Sequence, residues 1–415
     1  SCNSGTLNNH INKNIPIITE FTFDQLPLSA QNCYYTDKTS FLTTFNIKGI
    51  NNNGVIVGEA GNQYNSVLNT KICKNNIYLF DEHDSSVYFV PIMLGLEVLK
   101  SSSARAISSN LMIASSSKNL SSSDIATYYD GKSLNKVNPS YNSLSVSENG
   151  KYITNMDLLG TYIGIFNTES QGNVRLSYNK KDSNVNSMVY TVSNNGIAGG
   201  AIAESLGDNN YQAGVLCFVE DQTCKNVVGG AIDPQTDSKN FDAYIISVSA
   251  NAKWIYGFAR SNDGSGDIQL FSVNADTLSV TPINFDKDLN LYTYMTTVTD
   301  DGIVILKNDD TDISYLLVPY NTTASKMQIY SIQDLARMLG IKNVLSDIFM
   351  SPNGSYIVFE TTHEDSNKVL GIKIYFPNGL KDYLIKNLTP LVDTVKNDAV
   401  KNKDWFKGKN IVDNR

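Results

Sequence analysis

Three histidines and five cysteines are the metal-ligating and nucleophilic side chains that this chain of 415 residues can offer beside its carboxylates. His10 stands in a polar leader, and His83 and His363 stand in the acidic runs DEHDSS and TTHEDS. An imidazole among carboxylates can ligate a metal or carry a proton, but a solvated inter-strand loop has the same look. The loop reading is preferred. There is no Cys-x-x-Cys, no H-E-x-x-H, no G-x-S-x-G, and no Walker or dinucleotide fingerprint. Gly199-Gly200 and Gly229-Gly230 read as strand-edge glycines, not as phosphate loops. Asp309-Asp310-Thr311-Asp312 and Asn262-Asp263-Gly264-Ser265-Gly266-Asp267 gather oxygens on tight turns. Neither run has the ligand spacing of a calcium loop, so both are expected to be hairpin turns. Paired carboxylates of the glycosidase kind could come together from distant segments, yet nothing nominates a pair. The chain is therefore read as non-enzymatic, with no catalytic residue, no metal and no cofactor.

The cysteines suggest covalent structure instead. Cys217 and Cys224 flank FVEDQT, a hairpin-sized loop across which a disulfide closes easily if the register is right. Cys33 and Cys73 could form a second bridge. The alternative is that these are free buried thiols. Cys2 is left over. Ser1-Cys2-Asn3-Ser4-Gly5, followed by an Asn-rich polar tether, resembles the start of a bacterial lipoprotein, in which a small residue precedes the lipid-bearing cysteine. Ser1 departs from that pattern, since processing there leaves the cysteine first. Two pairs and a leftover cysteine point to an oxidising compartment outside the cytoplasm.

Composition narrows the partners. Hydrophobic residues are 41% and charged residues 18%, too apolar for disorder, and no window has the length and apolarity of a membrane span. The formal charge is −8 and no basic cluster occurs. Nucleic acid and anionic membrane surfaces are thus excluded as expected partners, because both are bound through Lys and Arg. Contact with a membrane is expected only through a lipid at Cys2.

The elements that must position these residues repeat along the chain. Residues 1–14 read as a flexible tether and Ile15–Phe23 as a strand. Then a strand, a tight turn and a second strand recur, with turns at Gly54, Asn110, Gly150, Gly196, Asn251, Gly302 and Gly354. Asn-Gly and Asp-Gly supply the positive φ such turns need. At Asn110 and Asn251 the glycine is missing, and the lone Asn is expected to take the left-handed conformation. The anchors lie 40 to 56 residues apart, the period of a four-stranded propeller blade. The clearest copy is Met350–Ile385, with strands expected at Tyr356–Phe359, Val369–Phe376 and Tyr383–Ile385. The second unit is weakest, and its SSSARAISSNLMIASSSKNLSSSD predicts irregular edges. Ser331 to Gly340 reads as a short inserted helix with Ser331 as N-cap. A C-terminal helix is expected within Asn387–Trp405, with Thr389 as its cap and Pro390 in its first turn, then a polar tail.

The turn SPNGSYIVFET resembles the TolB-type propeller repeat. GINNNGVIVGEA and VSNNGIAGGAIAES are similar to the HAF-type extracellular repeat. The resemblance spans most of residues 40–385. It departs at the second and fifth units, which lack the turn glycine, and the His-Ala-Phe triplet is missing. It implies a fold but carries neither partner nor chemistry.

The expectation is thus an all-β chain: a propeller of seven four-stranded blades over residues 15–385, with the inserted helix, and a helix and tail over 386–415. Ile15–Phe23 is free to add an outer strand to the last blade or to cross an end of the ring. The expected function is a protein–protein interaction platform outside the cytoplasm, in the periplasm or at the outer-membrane surface, such as a subunit of a bacterial envelope or secretion assembly. The competing function is recognition of a glycan or host receptor, with Tyr34-Tyr35, Tyr128-Tyr129 and Tyr292/Tyr294 lining one face, although Tyr292 and Tyr294 more simply pack the sheet. The glycosylation-type triplets at Asn119, Asn321, Asn353 and Asn387 are expected to stay unmodified.

Overall fold

A computed structural model describes residues 14–27, 35–37, 40–41, 43–62, 75–81, 86–137, 142–157, 164–178, 187–206, 209–230, 241–261, 264–285, 289–320, 326–362 and 369–393. Antiparallel strands dominate, and they form the blades of a β-propeller. The first unit is Thr43–Ile50, Ile56–Asn62, Asn76–Asp81 and Ser86–Phe89, paired in chain order. The second, fifth and sixth units repeat this meander from Ser101–Ile107, Phe241–Val248 and Leu291–Val298. Each unit's innermost strand carries a register shift in its pairing with the next strand, as at Ile47/Gly49 and Ile245/Ser247. Such bulges increase local twist and free backbone groups for other partners.

The count of seven separate blades is corrected by the pairing. Among the described residues five sheets of four or five strands stand alone, another is a continuous sheet of nine strands, and two small two-stranded sheets, Tyr35–Asp37 with Ser40–Phe41 and Met93–Leu94 with Glu97–Val98, are separate. The strand Tyr152–Asp157 outruns its neighbour Ile165–Asn167, which pairs with it only as far as Thr154. Its last residues, Met156 and Asp157, pair instead with Met188 and Ser187 of the following unit. Two four-stranded meanders are thereby merged.

The seven expected turns are all present, and they share one local design. The fourth residue of each turn donates its N–H to the carbonyl of the first, from Gly54 to Asn51 round to Gly354 to Ser351. The first residue is Ser, Thr or Asn, and its side-chain oxygen accepts the N–H that opens the next strand, as in Trp254 to Ser249 at 3.0 Å and Tyr356 to Ser351 at 2.9 Å. Where the glycine is missing, the left-handed residue is not the Asn, as expected, but the one after it. Leu111 has φ +66° and Ala252 φ +59°. Asn110 and Asn251 occupy the third position and accept the hydroxyl protons of Ser108 and Ser249. The strain falls on whichever residue holds the fourth position.

The chain closes its ring with its own beginning. Ile17–Thr22 pairs antiparallel with Val369–Tyr375 as the outer strand of the last unit. Phe21 then packs on Phe80 at 4.7 Å between ring centroids, and Phe80 on Phe45 at 5.5 Å, so the same strand grips the first unit.

Other expectations change. The strand read at Tyr383–Ile385 is part of a helix, Leu380–Asn387. Leu380 and Leu384 are one turn apart and both buried, and this spacing decides for helix. The helix expected from Thr389 does not begin there, since Val392–Asp393 pairs as a short strand with Gln328 and Ile329. The remainder of that expected helix lies outside the described residues. The inserted helix is present at Ile332–Met338, with Ser331 capping the Asp334 N–H. The serine-rich second unit is a regular four-stranded sheet, not an irregular one. Its Ser102, Ser115, Ser117 and Thr127 are buried and bond one another, hydroxyl to hydroxyl, at 2.8 to 2.9 Å. Serine is compatible with this interior because each hydroxyl finds a partner. Among the described residues no helix is long and apolar enough to cross a membrane.

Candidate functional site

The innermost strands surround a central channel holding a cavity of about 330 Å³. One half of its wall, from the third, fourth and fifth units, presents Leu144, Val146, Val192, Val248 and Ala250. The other half carries Tyr294, Asp347, Glu360, Lys48 and Arg105, from the sixth, seventh, first and second units, among apolar residues such as Ile47, Ile107, Val298 and Phe349.

Glu360 is the centre of that half. It sits on the second strand of the last unit, four residues beyond Tyr356, and is buried. Its Oε2 accepts the Ile47 N–H at 2.7 Å and its Oε1 the Ser346 hydroxyl at 3.1 Å. Burial, with Asp347 nearby and only partly offset by these donors and Lys48, pushes its carboxyl up to about 7. The Tyr294 hydroxyl donates to Asp347 Oδ1 at 3.4 Å, and the Lys307 ammonium stands 4.3 Å from the Tyr294 ring centre. Burial and then Asp347 raise the Tyr294 phenol to about 12.

Glu59 repeats the arrangement one unit on. It stands four residues beyond Val55, the residue equivalent to Tyr356, and its Oε2 accepts the Ala104 N–H at 2.9 Å. Lys48 Nζ lies 3.7 Å from its other oxygen. In both cases a carboxylate on one unit takes up an N–H at the bulge of the next unit's inner strand.

One end of the channel is spanned by the turns, which form a closed ring of hydrogen bonds. The Asn52 N–H reaches Ser109 Oγ, and the Ser109 N–H reaches the Glu148 carbonyl. The Asn149 N–H reaches Asn194 Oδ1, and the Asn194 N–H the Ala250 carbonyl. Asn251 Nδ2 reaches the Asp300 carbonyl, and the Asp300 N–H the Pro352 carbonyl. The Asn353 N–H returns to Asn52 Oδ1 at 2.8 Å. The Glu148 carboxylate reaches across, taking Asn52 Nδ2 at 3.1 Å and Asn194 Nδ2 at 2.9 Å. Burial, opposed by Asn251 and helped by Glu148, raises the nearby Asp300 carboxyl.

The sequence-nominated residues fare unevenly. Cys217 and Cys224 are directly opposite in the register and form a disulfide. Cys2, Cys33, Cys73 and the three histidines lie outside the described residues. Asp309–Asp312 is a hairpin turn, folded around Asn308 Oδ1, which accepts the Asp310 and Thr311 N–H groups. Tyr128 and Tyr129 are buried in the core, not on a binding face. Tyr292 packs edge-on against Phe258 at 5.6 Å, and Tyr294 lines the channel. Sequence reasoning missed Glu59, Glu360, Asp347, Lys48 and Arg105. A signal existed for the two glutamates: each is a lone carboxylate in an apolar strand, five residues after the turn glycine at Glu59 and six at Glu360.

The chain matches no family model and no curated protein. Solved structures offer likenesses of fold. Pyrococcus horikoshii acylaminoacyl peptidase aligns at 10% identity and a TM-score of 0.47, over 77% of this chain and 49% of that one. TolB from Acinetobacter baumannii aligns at 11% identity and 0.33, over 81% and 80% of the two chains. Trypanosoma rangeli sialidase aligns at 9% and 0.33, over 89% and 61%. The chain spans about half the length of the peptidase. No residue role and no activity passes to this chain from these likenesses.

Proposed function

We propose that this protein is a non-enzymatic, extracytoplasmic propeller that serves as an interaction platform in a bacterial envelope or secretion assembly, tethered through Cys2. The observation that carries the reading is the employment of ionisable groups in the channel wall and between the units. Glu360 and Glu59 hold backbone N–H groups of the next unit, Glu148 holds the turn ring, and Lys373 holds the Gly54 carbonyl. Groups engaged in this way stiffen a scaffold; a general base or nucleophile must be free to meet a substrate. The Cys217–Cys224 disulfide agrees with an oxidising compartment. Glycan or host-receptor recognition is the second reading, and Tyr294 on the channel wall is the aromatic residue that favours it.

The test is fractionation and cross-linked affinity purification of the full chain beside its Cys2→Ala variant. The expected result is a fixed set of envelope proteins with the parent chain, lost or mislocalised in the variant. Recovery of both forms alone and soluble overturns the assembly reading in favour of glycan recognition.

A further inference from the structure

The inner strands aim bulge residues into the channel. Lys48, Arg105 and Leu144 are the residues skipped in the pairing of the first, second and third units, and all three line the cavity of about 330 Å³. A bulge re-aims its side chain out of the regular alternation of the strand. Most ionisable groups of this wall are already employed. Lys48 stands 3.7 Å from Glu59, Glu148 accepts from Asn52 and Asn194, Asp347 accepts from Tyr294, and Glu360 holds the Ile47 N–H. Arg105 differs. It is exposed, lines the cavity, and has no hydrogen-bond or ionic partner among the described residues. The corresponding residue of the next unit is Leu144, and Val146, Val192 and Val248 continue an apolar wall from there.

We propose that the channel binds a small organic monocarboxylate with an apolar body, its carboxylate paired with Arg105 and its body laid along Leu144, Val146 and Val192. The head group follows from the guanidinium, whose parallel N–H groups match the two oxygens of a carboxylate. Its charge is held to one by the surroundings. Asp347, Glu148 and Glu360 line the same space, so a phosphate or a dicarboxylate meets more repulsion there for the same guanidinium. The body follows from the adjoining wall, because covering those aliphatic side chains removes apolar surface from water. The size follows from the cavity, which lies near the small end of the range of about 300–1,000 Å³ for small-molecule sites. An apolar lining with a few placed polar groups is the usual composition of such a site. This inference is independent of the platform reading.

Isothermal titration of the full chain with straight-chain acids from butanoate to octanoate, at neutral pH, tests it. The expected result is saturable one-to-one binding that tightens by up to about fourfold with each methylene. Octanol and octylamine lack the anion and inorganic phosphate lacks the body, and each is expected to bind at least about tenfold more weakly than octanoate. Arg105→Ala and Arg105→Gln should melt like the parent, since this side chain holds nothing in the fold, and should weaken octanoate at least about tenfold. Leu144→Ser should weaken octanoate more than butanoate, which a charge pair alone would not do. If an Arg105 variant does not fold, the series of head groups on the parent chain decides. No saturable binding, octanoate bound equally by the parent and the Arg105 variants, or tighter binding of octylamine or phosphate overturns the proposal.

Discussion

Two seams of the ring solve the same packing problem with different chemistry. Between the fifth and sixth units, Trp254 lies over the turn glycine Gly302, and the Tyr256 hydroxyl donates to the Gly302 carbonyl at 2.7 Å. Between the seventh and first units, Tyr356 lies over the turn glycine Gly54, and the Lys373 ammonium donates to the Gly54 carbonyl at 2.9 Å. Both glycines have positive φ, and a Cβ at either would meet the aromatic ring at 2.6 to 2.8 Å. The interior of the fifth–sixth seam is apolar, with Leu270, Ile283, Leu291, Val304 and Leu317 around the Trp–Tyr pair, and its ion pair, Arg260–Asp309 at 3.3 Å, is partly exposed. The closure seam instead buries ionisable groups: Lys373 beside the Tyr356 ring, and Glu360 on the Ile47 N–H. The difference follows the covalent chain. The fifth and sixth units are consecutive, so apolar stacking suffices to join them. The seventh and first meet only by folding, and directional bonds to fixed backbone groups specify which strands must meet.

If stacking carries the consecutive seam, its largest side chain carries most. Trp254→Ala is expected to cost about 3–5 kcal/mol, as aromatic truncations in well-packed cores do. Urea unfolding checks this, and a loss below about 1 kcal/mol would contradict the comparison. The closure seam should instead respond to pH. The folded Glu360 carboxyl holds its proton up to about pH 7, against an ordinary value of 4.5. Between those values the folded chain binds more protons than the unfolded one, so stability falls as pH rises. The contribution is complete below 4.5 and gone above 7, a change of about 3 kcal/mol at about 1.4 kcal/mol per unit. Glu360→Gln, which keeps an acceptor for the Ile47 N–H, should flatten that slope and leave the fifth–sixth seam unaffected. Urea melts at about pH 5 and about pH 7.5 are the measurement, and an unchanged slope in the variant would remove Glu360 from the account.

Much of the ring was legible because its turns depend on local residues. Asn-Gly and Asp-Gly marked five of the seven turns, and their spacing gave the blade period. The helix after Ser331 was legible from its cap, again a local signal. What escaped was settled by distant contacts. Tyr383-Leu384-Ile385 has strand-forming side chains, yet the burial of Leu380 and Leu384 against the last unit makes it helical. The merged sheet depends on how far Tyr152–Asp157 outruns its neighbour, which no pattern in that strand encodes. The ionisable side of the channel wall joins residues from four units. Glu360 left a trace, as did Glu59 beside it, each as a lone carboxylate in an apolar strand, while Lys48 and Asp347 lie within the bulges of their inner strands.

The finest test exchanges the donors on the two turn-glycine carbonyls. Tyr256→Phe removes one hydroxyl from a fully buried ring and leaves the Gly302 carbonyl short of a donor. The expected cost is about 0.5–1.5 kcal/mol, the net worth of one neutral hydrogen bond. Lys373→Met removes a charged donor of similar length, and its expected cost is larger, about 1.5–3 kcal/mol. The difference between the two variants should not depend on salt. Lys373 is buried, so added salt should screen its bond little, and the gap between the variants should persist from low to high ionic strength. Equal costs would mean that the ammonium does no more than the phenol, and that the closure seam is an ordinary seam whose charge is incidental. A larger cost at Lys373, together with a loss of stability as Glu360 ionises, would place the ring's closure on the Lys373 ammonium and on a Glu360 that keeps its proton, where the first and last units are brought into register.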